Sequence, residues 1–239
     1  MMLRFIEKIK RAKSVFLPTR KSLGSSGSNT HIEFPVYISY PKNVFIESDT
    51  RIRIGTKILI SENDTLTIKK YTVISVNCVI VTNKHNSTVC IPQILLGISG
   101  INDQHNNLVI EEDVWIGANV TIMGNANLGR GCICGACSTI TKPVPPYALV
   151  VGSPAKIVGV KFSIDQILEH EKVLYPENER FSREYLEKLF ADYYQDKRVF
   201  GLSTEFTEEQ IERLWQCAQS RKYTDMSYFD RIKSKRCTK

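Results

Sequence analysis

The sequence contains no run of eighteen apolar residues, so none of its segments has the length that a membrane-crossing helix requires. Its N-terminus lacks the apolar stretch and small-residue site of a secretory signal, and on that basis the chain reads as cytoplasmic. A disulfide framework is not indicated either. The seven cysteines are odd in number and irregular in spacing, as suits free thiols in a reducing compartment. An excess of one sign of charge is confined to one segment. Residues 1–21 hold seven Lys/Arg against Glu7, while the remaining residues carry 25 basic and 24 acidic side chains. The net charge of +7 is therefore local, and the body of the chain has no basis for binding nucleic acid. Histidine is rare as well, with four in the chain.

Residues 1–17 read as a short amphipathic helix, with Leu3, Phe5, Ile6, Ile9 and Phe16 interleaved with Arg4, Lys8, Lys10, Arg11 and Lys13. Such a helix packs on the body or on a neighbouring subunit; the alternative is peripheral contact with an anionic membrane surface. Ser22–Thr30 (SLGSSGSNT) reads as a linker, so residues 1–35 form an N-terminal basic helix plus linker.

What the chain does have is a repeat. From Ile110 an apolar residue recurs every six positions: Ile110, Ile116, Ile122, Leu128, Cys134, Ile140. Four residues after each comes a small or β-branched one, at Val114, Val120, Ala126, Cys132 and Ser138. A period of six is neither the 3.6 of a helix nor the 2 of an ordinary strand. Six residues per face and three faces per coil make a triangular parallel β-solenoid, with aliphatics stacked up its axis. The period also holds upstream, through Ile46, Ile52 and Ile58 with Thr50 and Thr56, then through Ile68, Ile74 and Ile80 with Thr72 and Cys78. The ten-residue step from Ile58 to Ile68 implies a small insertion. Residues 82–109 drop the pattern and read as a loop thrust out between two coils.

The solenoid exits through TKPVPPYALVVGSPAKIVG, and the remainder turns helical. Ser163-x-x-Gln166 and Thr207-x-x-Gln210 are capping boxes, and Ser182 is a further N-cap candidate. Behind them lie amphipathic stretches with Ile164, Ile167, Leu168 and Leu174, with Leu186, Leu189, Phe190 and Tyr193, and with Ile211, Leu214, Trp215 and Ala218. The organisation expected is thus residues 1–35, a solenoid over 36–160 with its loop at 82–109, and a helical extension over 161–239.

The hexads, the outward loop bearing a histidine, and VWIGANVTI followed by ITKPVPPYALVVGSPAKIVG together resemble the hexapeptide-repeat acyltransferases. That family includes maltose, galactoside and serine acetyltransferases, xenobiotic acetyltransferases and O-acetyltransferases of surface polysaccharides. The resemblance covers residues 36–160. It implies a mainly β fold, a left-handed parallel β-helix with an extended loop, followed here by a C-terminal α-helical extension. It also implies acetyl-CoA as co-substrate, no metal, and a homotrimer with sites between neighbouring solenoids. The tail ILEHEKVLYPENERFSREYLEKLF is similar to those of polysaccharide O-acetyltransferases, which points to a sugar or glycan acceptor of a capsule or O-antigen. Work beside the inner face of the cell membrane would suit that role. Two departures stand out: the family's Pro-Gly is Met123-Gly124 here, and its Thr-Lys-Asp is Thr141-Lys142-Pro143.

Transfer from a thioester to a hydroxyl needs a base that removes the hydroxyl proton, and histidine suits neutral pH. His31 lies in the linker and His170 in a helix. His85, in VTNKHNSTV, follows Thr82 where the chain leaves the repeat, and the resemblance implies that it is the base. His105 is the second candidate, and with Asn83 and Asp103 it is a candidate acceptor-binding residue. Asn77, Asn83 and Asp103 are the candidates for orienting the imidazole. For acetyl-CoA the candidates are the outward Trp115, the small Gly117, Gly135 and Ala136, and Thr141, Lys142 and Lys156 near the exit. Trp115 serves equally for subunit packing, the glycines for coil geometry, and the lysines as solvated charge. Cys132, Cys134 and Cys137 suggest zinc by spacing, but the first two occupy repeat positions and read as core.

A γ-class carbonic anhydrase needs three zinc-binding histidines with a close pair, which this chain lacks. A non-enzymatic solenoid has no use for a histidine-bearing excursion. An amine acceptor, on an amino-sugar nucleotide or an antibiotic, stays open as the alternative to a hydroxyl.

Overall fold

In a computed structural model, which describes residues 19–202 and 206–234, the hexads become a three-sided column. Ser25–Ser26 (β1), His31–Ile32 (β2) and Tyr37–Ile38 (β3) make one turn. Val44–Ile46 (β4), Arg51–Ile52 (β5) and Lys57–Leu59 (β6) make the next, then Thr65–Ile68 (β7), Val73–Ile74 (β8) and Val79–Val81 (β9). After the excursion come Asn107–Ile110 (β10), Trp115–Ile116 (β11) and Thr121–Met123 (β12), followed by Ile133–Cys134 (β13) and Thr139–Ile140 (β14). Each strand pairs in parallel with the one a full turn later, giving sheet I (β1-β4-β7-β10), sheet II (through β2, β5, β8, β11 and β13) and sheet III (β3-β6-β9-β12-β14).

Register explains why six works. A strand alternates its side chains between faces, so a short strand presents one aliphatic to the axis and its neighbours to the outside. Ile52, Ile74, Ile116 and Cys134 align in one column, and Ile58, Ile80, Ile122 and Ile140 in a second. Ile46, Ile68 and Ile110 form the third, which Leu128 extends by a parallel bridge. All these hexad residues are no more than 1 % exposed. Fully burying each isoleucine contributes roughly 1.5–3 kcal/mol. The small positions are buried too, and their hydroxyls bond to the next coil: Thr72 Oγ1 donates to Glu111 O at 2.8 Å and Thr56 Oγ1 to Ser75 O at 3.3 Å. Cys132 and Cys134 are core, and burial pushes the Cys132 thiol well up.

Two expectations need correction. The supposed linker is not one, because Ser25–Ser26 pairs with Phe45–Ile46, and His31–Ile32 with Arg51–Ile52. The column therefore begins before position 36. Ser26 stands where an aliphatic was expected, which hid Ile32 and Ile38 from the periodicity. The excursion is also shorter than 82–109: Thr82 is buried within its coil and β10 starts at Asn107. Residues 1–17, expected as an amphipathic helix, lie outside the described residues.

Past Val144, Ala148–Gly152 (β15) and Ala155–Val160 (β16) form an antiparallel hairpin on sheet II, and Arg198–Val199 (β17) adds beside β16. In the excursion Gln93–Ser99 is helical (α1); the tail holds Ile164–Leu174 (α2), Arg183–Tyr193 (α3), Glu208–Ser220 (α4) and Tyr228–Ser234 (α5). Both capping boxes form, and Ser182 Oγ accepts from the Tyr185 N–H. Helix α4 buries Ile211, in a small cluster with Val173 and Ile232, and leaves Leu214 exposed.

The tail lies along the edge between sheets I and II. At that edge Asn29, Asp49, Tyr71, Asp113 and Tyr147 share a left-handed backbone, with φ between 53° and 66°. Four of them grip the tail. Asp49 accepts from the Thr224 N–H at 3.2 Å, and Tyr71 packs on Tyr223. Asp113 accepts from Lys161 Nζ at 2.6 Å and from His170 Nε2 at 3.3 Å, and Tyr147 donates to Glu171 at 3.1 Å. Arg130, between the rings of Tyr175 and Phe181, pairs with Glu112 at 3.1 Å and Glu171 at 3.2 Å.

Candidate active site

The excursion leaves at the end of a sheet III strand and returns into sheet I, so it stands on the edge between those two sheets, away from the tail. Its stem is built around Asp64, a fully buried carboxylate in the ten-residue step between β6 and β7. Thr82 Oγ1 donates to Asp64 Oδ2 at 2.5 Å. On the returning strand the Asn106 N–H donates to Oδ1 at 3.0 Å and His105 Nδ1 lies 3.1 Å from the same oxygen. Asn106 Nδ2 donates to Thr82 O at 2.8 Å and closes the stem. Burial opposes ionisation of Asp64. The hydrogen bonds from Thr82, Ser61, Asn106 and His105 outweigh it and hold the carboxyl below its usual range.

Above the stem, Lys84 and Gln104 form an antiparallel bridge. Residues paired across two strands share a face, and the next pair along points the opposite way. In pairing order that places His85 opposite Asp103 and Asn83 opposite His105. His85 Nδ1 lies 2.8 Å from Asp103 Oδ1. A carboxylate only accepts, so Nδ1 carries a proton, and in the neutral ring that leaves the lone pair on Nε2. The Asp103 side chain is 9 % exposed and that of His85 is 39 %, an acid held inside beneath an imidazole that reaches solvent. Of the three candidates for orienting the imidazole, Asp103 is the one in hydrogen-bond contact with it. Asn77 has another place, at the edge between sheets II and III with φ 59°, its side chain filling the space that a Cβ on Gly55 would need.

Beyond the dyad the excursion carries no charged residue from Asn86 to Asn102. Asn86 Nδ2 donates to Asn102 O at 2.9 Å, and α1 ends at Gly100 in the left-handed conformation. Leu96 is fully buried, whereas Ile94 and Ile98 are 71 % and 76 % exposed.

The cofactor candidates fall on other surfaces. Trp115 points outward from sheet II between Val73 and Ile133 and is 58 % exposed. A Cβ on Gly117 would lie 2.7 Å from Ala136 N, and one on Gly135 the same distance from Val151 Cγ1, so coil packing already accounts for both glycines. Ala136 is exposed after β13, and Lys156 is exposed on β16 beside Val151. Thr141 and Lys142 are exposed just after β14, at the edge that bears the excursion. The structure thus brings His85 against Asp103 and His105 against Asp64, with Asn83 next to Thr82 in the outgoing strand, and leaves Trp115, Gly117, Gly135, Ala136 and Lys156 on sheet II and its margin. Asp64 was not foreseen as a site residue; the broken period between Ile58 and Ile68 was the signal that could have found it.

A family model described as "Bacterial transferase hexapeptide (six repeats)" matches residues 107–142. A probable macrolide acetyltransferase of Lysinibacillus sphaericus is 49 % identical over 59 residues, 25 % of this chain and 33 % of the relative. Serine acetyltransferase of Escherichia coli is 39 % identical over 74 residues, 31 % of this chain and 27 % of the relative. The aligned parts thus span a third or less of these relatives' lengths. Among solved structures, a hexapeptide-repeat-containing acetyltransferase from Vibrio cholerae superposes with a TM-score of 0.54 at 26 % identity, over 60 % of this chain and 77 % of the other. It has also been solved with acetyl coenzyme A. A maltose O-acetyltransferase from Clostridium difficile shares the fold, with a TM-score of 0.54 at 22 % identity over 66 % of this chain and 86 % of the other. Residues 107–142 thus match a hexapeptide-repeat transferase model, and the chain around them shares its fold with a hexapeptide-repeat acetyltransferase.

Proposed function

We propose that this protein is an acetyl-CoA-dependent O-acetyltransferase acting on a sugar hydroxyl, with His85 as general base, on a left-handed β-helix. The observation that carries the reading is the His85–Asp103 dyad, standing on an excursion from a hexapeptide-repeat column. Acetyl-CoA as donor is supported by the complex of the Vibrio cholerae protein. His85 Nε2 takes the proton from the acceptor hydroxyl as its oxygen attacks the thioester carbonyl. The negative charge passes to the carbonyl oxygen and returns as the C–S bond breaks. The departing thiolate then takes the proton from the imidazolium, giving CoA thiol and the acetyl ester. Asp103 stabilises the imidazolium between those two events. Asn83 and His105, one pair nearer the column than the dyad, orient the acceptor. Trp115, Gly117, Gly135, Ala136, Thr141, Lys142 and Lys156 receive the CoA arm and its phosphates.

Topology supports a site shared between copies of the chain. Within one protomer the dyad stands at the sheet III–sheet I edge, whereas Trp115 and its neighbours face outward from sheet II. A homotrimer brings the excursion of one copy over sheet II of the next, and the exposed Ile94 and Ile98 suit such a contact. The acceptor is read as a capsule or O-antigen glycan, on the cytoplasmic side where acetyl-CoA is available, with residues 1–17 as a peripheral contact to the membrane. Among the described residues no helix is long and apolar enough to cross a membrane. The test is release of free thiol from acetyl-CoA across a panel of oligosaccharides, amino-sugar nucleotides, serine and chloramphenicol. Release dependent on a saccharide hydroxyl supports the reading, and release with the amino-sugar nucleotides or chloramphenicol alone overturns it.

A further inference from the structure

A buried carboxylate is costly unless each of its oxygens is satisfied, so its position in a fold calls for an explanation. Asp64 is fully buried, and it lies in the one place between Ile46 and Ile80 where the six-residue period breaks. Its partners are not spread through the core. Thr82, the last residue of the coil before the excursion, bonds to Oδ2. His105 and Asn106, the last two before β10, bond to Oδ1. One side chain thus holds both ends of the excursion, on the outgoing strand at one oxygen and on the returning strand at the other.

The consequence for the dyad follows from counting along the stem. His85 is three residues past Thr82 and Asp103 three before Asn106, with the Lys84–Gln104 bridge between. In a paired stem, a slip of one residue on either strand turns a side chain to the opposite face. The 2.8 Å contact of His85 with Asp103 therefore requires the register that Asp64 sets. The bridge alone is a single pair, with Lys84 N–H to Gln104 O at 3.3 Å and Gln104 N–H to Lys84 O at 2.9 Å. Beyond the dyad, Asn86 Nδ2 to Asn102 O ties the two strands again and Leu96 is buried, but Ile94 and Ile98 of α1 are exposed. Asp64 supplies its constraint on the register from the rigid column.

We propose that Asp64 is a positioning residue, which acts on catalysis by locking the two strands of the excursion in the register that puts Asp103 against His85. It rests on His85 being the base, and it goes beyond that reading by assigning a role to a buried residue of another coil. Loss of the lock predicts a loss of kcat that passes through the dyad, with the effect of freeing His105 read separately in the KM for the acceptor.

The test is a double-mutant cycle on kcat between Asp64→Asn and Asp103→Asn, with Ile38→Ala in the first coil as a destabilised control. Asp64→Asn is expected to lower kcat about tenfold or more while leaving the KM for acetyl-CoA unchanged. The double variant is expected to lose no more than Asp103→Asn alone, because both changes remove one interaction. Ile38→Ala, compared at a temperature where it is folded, keeps kcat. Losses that multiply in the double variant would overturn the proposal, as would an Asp64→Asn enzyme with kcat within twofold of wild type. Should Asp64→Asn fail to fold, Thr82→Val removes one arm of the lock and runs in the same cycle under the same criteria. If His85→Ala proves fully active, the base reading fails on its own; if it is dead while Asp64→Asn is silent, only this inference fails.

Discussion

At the scale of single residues, the candidate site rests on two carboxylates doing different jobs. Asp103 touches the imidazole and is partly open, whereas Asp64 touches the strands and is sealed. The second has a consequence for stability that can be measured without any substrate. Burial raises the Asp64 pKa, the hydrogen bonds from Thr82, Ser61, Asn106 and His105 lower it further than burial raises it, and the net direction is down. A carboxyl whose folded value is depressed contributes stability above its unfolded value, and that contribution is lost as pH falls through the folded value. The unfolded value is about 3.9. The melting-temperature gap between wild type and Asp64→Asn should therefore be widest near about pH 6 and narrow as pH is taken towards about pH 3. A gap that stays constant over that range would contradict the ionised, hydrogen-bonded state. Legibility at this scale was uneven. His85 stood out because the chain has few histidines and the family motif marks the position. Asp103 was one of three candidates, since a hydrogen bond spanning eighteen residues leaves no trace in spacing. Asp64 left only a broken period.

At the scale of elements, the hexad strands were the readable part. Each needs a single aliphatic in a fixed place, and the stack repeats that demand, so one period encodes register as well as burial. Where the aliphatic is missing the element disappears from view, as at β1, where Ser26 occupies the inward position and the strand was mistaken for a linker. Helices α2 and α4 were readable at their starts because a capping box is a local device. Their docking was not. It depends on Arg130 meeting Glu171 from 41 residues away, and on Asp113 and Tyr147 turning outward in the left-handed region at the column's edge. Burial works against the Arg130 charge, but Glu112 and Glu171 outweigh it and hold the guanidinium firmly protonated. The tail is thereby tied to two coils at once, since Glu112 belongs to the solenoid and Glu171 to α2.

For the whole molecule, the tail and the excursion take two of the column's three edges. The tail covers the edge between sheets I and II, the excursion stands on the edge between sheets III and I, and Trp115 faces outward from sheet II. A site completed between copies makes a prediction that a site within one chain does not. Mixed oligomers of His85→Ala with Ala136→Trp, each inactive alone, should regain activity after co-refolding, because a hybrid pairs an intact base with an intact groove. Absence of recovery in mixtures shown by mass to contain hybrids would contradict the shared site.

The central claim is that the imidazole held by Asp103 removes the acceptor proton, and one comparison reaches it most directly. Thiol release by wild type and His85→Ala is measured at saturating acetyl-CoA with the best acceptor, beside acetyl-CoA affinity by calorimetry. The account predicts a fall in kcat of about 10²–10⁴-fold with affinity for acetyl-CoA retained. A variant that binds acetyl-CoA and turns over within threefold of wild type would contradict it.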